Sequence, residues 1–91
     1  MANKHRYIYE FEDLGPDRIA FAISDPPSEK MVVTTENGTT ALYVNKSACR
    51  VLAEIFTRLA EGSHNEGFHV HLHEDFDDVQ PEALRIVLAS R

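Results

Sequence analysis

The feature that most constrains this chain is an apolar stripe of helical period near its middle. Ala48, Val51, Leu52, Ile55, Phe56 and Leu59 fall at i, i+3, i+4, i+7, i+8 and i+11, a spacing that gathers side chains on one face of an α-helix and requires a surface to bury them against. The stripe predicts a helix over about Lys46–Glu61. Arg50, Glu54, Thr57, Arg58 and Glu61 lie on its far side, where Arg50–Glu54 and Glu54–Arg58 read as i,i+4 opposite-charge pairs. Asn45 or Ser47 supplies the N-cap, and Gly62 stands where a left-handed residue would end the helix.

The segments that pack on this helix have the period of strands. Tyr7, Tyr9 and Phe11 alternate with Arg6, Ile8 and Glu10, predicting a strand over 5–11. Turn residues Asp13-Leu14-Gly15-Pro16-Asp17 follow, and Ile19, Phe21 and Ile23 then alternate with Ala20 and Ala22 over 18–24, which reads as the second arm of a hairpin. Pro26-Pro27 interrupts the ladder, because proline has no amide to donate. Asn37-Gly38 between 31–35 and 39–44 is the sharpest hairpin signal in the chain. Beyond the helix and the polar loop 63–67, the segment 68–73 places Phe68, Val70 and Leu72 inward and His69, His71 and His73 outward. The tail over 83–89 reads as a last strand, with a helix opened by Pro81 as the alternative.

The expected fold over 1–91 is therefore a small α+β domain of order ββββαββ. It is a mainly antiparallel sheet of about six strands with one amphipathic helix on one face. A helix ~10 Å across cannot cover a sheet about 24 Å wide. Outward residues such as Ile8, Val32, Tyr43 and Val87 would then form an interface with another protein or a second copy, unless the sheet curls over itself.

Composition narrows the partners. With 9 basic and 15 acidic residues in 91, the net charge of −6 is unsuited to the counterion-displacing contacts that nucleic acids require and favours a basic protein partner. One cysteine excludes an internal disulfide and a multi-thiolate zinc site. Cys49 lies beside Phe56 at the edge of the stripe and reads as a packed thiol. No stretch has the ~20 apolar residues of a membrane span, and the N-terminus lacks a signal-peptide core, so the expected address is cytoplasmic. The absence of a phosphate loop, a nucleophile elbow and a second ligand cluster points away from an enzyme, with no catalytic residue to name.

Two clusters are candidates for function. His69, His71 and His73 on one strand face suggest a zinc or nickel site, since imidazole is a common ligand of both. Alternate residues ~6.7 Å apart can share an ion, whereas His69 and His73, about 13 Å apart, cannot. The second cluster is Glu74, Asp75, Phe76, Asp77 and Asp78. There the ring is expected to anchor a basic partner while the carboxylates oppose its lysines, with Tyr43 from the sheet face contributing.

The stretch from Leu42 to Leu88 also carries a pattern: a strand ending near Asn45, a helix over Ala48–Glu61, then Gly67-Phe68-His69-Val70-His71-Leu72 and a final aliphatic strand. This resembles the small immunity proteins of bacterial polymorphic-toxin systems, the immunity protein thirty-two family, in which a helix precedes G-[YF]-H-x-H-L. His73 and Ala48 stand where that pattern carries an acidic residue and a glycine. The resemblance implies a protein that neutralises a toxin domain by direct binding, with His69 and His71 as motif positions. A metal-binding or metal-sensing domain and a structural homodimer are the alternatives.

Overall fold

The computed structural model describes residues 2–90. In chain order the elements are β1 (Met31–Glu36), β2 (Thr39–Val44), α1 (Lys46–Glu61), β3 (His69–His73), a single 3-10 turn (Glu74–Phe76) and β4 (Glu82–Val87). The class is α+β, but the expected sheet of about six strands is not there. Four strands form two separate antiparallel pairs, β1 with β2 and β3 with β4. The segments 5–11 and 18–24 belong to no strand. The reasoning that one helix leaves one broad sheet uncovered falls with that sheet.

Where the turn chemistry is strict, the expectation and the structure agree. Glu36 pairs with Thr39 across Asn37-Gly38, and both turn residues have positive φ, 52° and 80°. This is the backbone that matches a two-residue loop to the twist of its strands. At the C-terminal end the strand reading holds over the helical one. Val70 lies opposite Ile86 and Leu72 opposite Leu84, and Phe68 and Leu88 extend the ladder through a main-chain bond of 2.9 Å.

α1 supplies the core. Ala48, Val51, Leu52, Ile55 and Leu59 are buried with Met31, Val70, Leu72 and Phe76, and each large apolar side chain so buried contributes about 1.5–3 kcal/mol. Phe56 and Cys49 fall on the flank of the stripe and remain exposed, which corrects the reading of Cys49 as a packed thiol. Asn45 is the N-cap: its Oδ1 accepts from the Ala48 amide at 2.9 Å. Gly62 ends the helix without entering the left-handed region (φ −80°, ψ −177°). It is required there because a Cβ would stand 2.6 Å from the Arg58 carbonyl oxygen. No helix among the described residues is long and apolar enough to cross a membrane.

The N-terminal hairpin fails for a physical reason located at Arg58. This residue forms no ion pair with Glu54. Its Nε donates to the Tyr9 hydroxyl at 2.8 Å, and its Nη1 donates to the Glu12 carbonyl at 3.2 Å. The guanidinium also lies over Phe11 and Tyr9, at 5.0 and 5.7 Å from the ring centres. Farther along, the Ser63 hydroxyl donates to Asp13 Oδ1 at 3.0 Å, and His64 Nδ1 meets the Pro16 carbonyl at 3.2 Å. The turn at 13–17 is thus drawn around the C-terminal end of α1 instead of folding 18–24 back onto 5–11. Ile19 and Phe21 go on to pack against the core.

Candidate functional site

Asn45 and Glu29 organise the approach to the acidic cluster. Asn45 Oδ1 also accepts from the Lys30 amide at 3.1 Å, its Nδ2 donates to the Ser28 carbonyl at 2.7 Å, and its own amide donates to the Lys30 carbonyl at 3.1 Å. The loop before β1 is thereby tied to the start of α1. Glu29, only 5% exposed, closes the same loop from inside. Its carboxylate accepts from the Ser24 amide at 3.0 Å, the Ser24 hydroxyl at 3.1 Å and the Ser28 amide at 3.3 Å. Desolvation pushes its pKa up, but the Ser24 and Ser28 donors outweigh burial and hold it below the ordinary 4.5.

The acidic cluster itself is bent by two consecutive left-handed residues, Asp75 (φ 56°) and Phe76 (φ 57°). Such conformations cost non-glycine residues about 1 kcal/mol or more each. Two contacts hold them. Asp75 Oδ1 accepts from the Met31 amide at 2.9 Å, and Phe76 turns inward to meet Phe21 edge-to-face with centroids 6.1 Å apart. Phe76 is 9% exposed, so its ring is part of the core and is not the projecting anchor that the flanking carboxylates suggest.

Beside this bend lies a cavity of about 450 Å³ lined by Ile23, Pro27, Glu29, Lys30, Asp75, Phe76, Asp77 and Asp78. Its apolar wall comes from Ile23, Pro27 and Phe76, and its carboxylates come from both the loop before β1 and the bend at the 3-10 turn. Among the described residues Lys30 is its one cation, held loosely: Nζ is 3.9 Å from Asp75 Oδ2, with the Lys30 side chain 74% exposed. Asp77 and Asp78 are exposed, while Glu74 is half-buried and lies outside the cavity lining. Tyr43 also lies outside it, on the outer face of the first hairpin, where its hydroxyl donates to Glu36 and its pKa is raised by that bond. Glu29 and Lys30 escape the sequence reading because neither belongs to a periodic pattern. The one signal near them is Pro26-Pro27, which marks the loop but not the inward carboxylate.

The three histidines do project outward from β3, where His69 and His71 meet edge-to-face with ring centres 4.9 Å apart, and the Nδ1 atom of each of the three is engaged by a different acceptor. His69 Nδ1 lies 3.2 Å from the Gly67 carbonyl, His71 Nδ1 bonds Glu82, and His73 Nδ1 lies 2.6 Å from the Gln80 carbonyl. A bulge between Leu72 and His73 sets Glu82 opposite His73, on the imidazole side of the ribbon. There the hydrogen bond from His71, joined by Arg85, lowers the Glu82 pKa. Among the described residues no group of three His, Cys, Asp or Glu side chains is placed to hold a metal ion. No family model, no curated protein and no solved structure matches the chain.

Proposed function

We propose that the chain is a non-catalytic binding module, an immunity-type inhibitor that neutralises a basic toxin domain by direct contact in the bacterial cytoplasm. The observation that supports this reading is the cavity in which Glu29, Asp75, Asp77 and Asp78 surround an apolar wall. A lysine or arginine of the partner fits such a site: its aliphatic stem lies against Ile23 and Phe76 while its charge meets Asp75, Asp77 and Asp78. Lys30, already weakly held, is displaced. The net charge of −6 adds long-range attraction, which speeds encounter with a basic surface and weakens with salt.

The test is co-expression with a toxin domain found in the reading frames that neighbour this gene, reading growth and co-purification, and neighbouring frames without one would count against the reading. Rescue by the native chain and its loss in the triple variant Asp75→Asn, Asp77→Asn, Asp78→Asn is expected. Equal rescue by both chains would remove the cavity from the interface, and failure of the native chain to rescue would overturn the reading.

A further inference from the structure

The segment 4–12 presents a different kind of surface and shares no residue with the acidic cavity. Tyr7 and Tyr9 stack at 6.5 Å and Tyr9 and Phe11 at 5.7 Å, near the ~6.7 Å that separates alternate side chains on an extended chain. Tyr9 and Phe11 of that row face Arg58, whereas Tyr7 and Ile8, 61% and 68% exposed, face solvent. Among the described residues, no main-chain group from 2 to 29 bonds another main-chain group. Apart from the Glu12 carbonyl, which Arg58 holds at 3.2 Å, this is an extended segment whose edges make no main-chain bond and can accept a strand.

We propose that residues 4–12 pair antiparallel with the same residues of a second copy, around a two-fold axis at Ile8. The charges are arranged for that partner. In this register Lys4 lies opposite Glu12, Arg6 opposite Glu10 and Ile8 opposite itself, each charged pair occurring twice by symmetry. A parallel in-register pairing would instead set Lys4 on Lys4 and Glu10 on Glu10. Within one copy, Lys4, Arg6, Glu10 and Glu12 form no ion pair among the described residues. On the other side Tyr7 falls opposite Tyr9 and His5 opposite Phe11, extending the aromatic row that Arg58 already covers.

The surface area agrees. The chain exposes 7001 Å², whereas a compact monomer of 10.3 kDa exposes about 5,350 Å². Its radius of gyration is 14.5 Å, against about 12 Å for a compact chain of this length. The surplus of about 1,650 Å² belongs to the chain as a whole, and it exceeds the ~800 Å² that each partner of a stable complex usually buries.

Charge reversal in trans tests the register. Sedimentation velocity over about 1–100 µM should show the native chain self-associating. Arg6→Glu and Glu10→Arg, each checked by circular dichroism for an intact fold, should each weaken self-association by about tenfold or more, because each sets like charges opposite one another twice. Mixing the two variants should restore association, since a carboxylate then faces a guanidinium at both contacts between positions 6 and 10. The double variant R6E/E10R should also associate like the native chain. A native chain that stays monomeric, a single variant that associates as well as the native chain, or a mixture no stronger than its components would each overturn the proposal.

Discussion

Residues 31–44 and residues 5–24 each read as two extended arms joined by a turn, yet only the first pair of arms is joined by main-chain hydrogen bonds. Between β1 and β2 a two-residue Asn37-Gly38 loop leaves the strands nowhere to go but onto each other. Between 5–11 and 18–24 there are five turn residues, and the side chains and carbonyls in and beside that turn are gripped by Arg58, Ser63 and His64 from another part of the chain. Alternation therefore reports that a segment is extended and two-faced. Which edge it joins is decided by the length of the turn and by what holds that turn.

The contrast can be broken from the ordered side first. Phe76→Ala removes a core ring that also braces two left-handed residues, and should destabilise the fold by about 3–5 kcal/mol, measured by urea unfolding. Asn45→Ala should cost about 2 kcal/mol, since it loses the helix cap and leaves the Lys30 amide without its acceptor. Glu29, at the end of the N-terminal region, makes the stability depend on pH. Its folded pKa is depressed, so its contribution is complete above the ordinary value of 4.5 and disappears as pH falls through the lower folded value. Urea titrations between about pH 2 and 6 should show Glu29→Gln flattening that part of the acid limb.

The smallest effect belongs to the N-terminal region. Arg58→Ala should change global stability by less than about 1 kcal/mol. It should nonetheless speed tryptic cleavage after Lys4 and Arg6 and leave hydrogen exchange within 31–88 unchanged. If exchange quickened in the ladders as well, the two regions would be one cooperative unit and the contrast drawn between them would fail.

The legibility of the chain follows the same division. α1, the Asn37-Gly38 hairpin and the inward set Val70, Leu72, Leu84 and Ile86 are readable because their period, caps and turns are local properties. The pairing of 5–11 with 18–24 is misread because it depends on Arg58, more than forty residues away, whose charge pattern points to Glu54. The acidic cluster is visible in composition, but the inward rotation of Phe76 rests on two positive φ angles that aspartate and phenylalanine do not announce. Glu29 is invisible for a related reason: a carboxylate becomes an internal clasp only when Ser24 and Ser28 are folded around it. The histidine triplet does lie on an outer face, where His69 and His71 meet edge-to-face, but the partners of His71 and His73, Glu82 and the Gln80 carbonyl, are set by the pairing with β4 and are not announced by the triplet itself.

Gly62 gives this small fold an unexpected point of fragility. Any methyl group there would collide with the Arg58 carbonyl that ends the helix, and a last turn pushed open carries the guanidinium away from Tyr9 and Phe11. An alanine allele at this site would thus look harmless in a circular dichroism spectrum while loosening the opposite end of the polypeptide, a defect felt about fifty positions upstream of the codon that causes it.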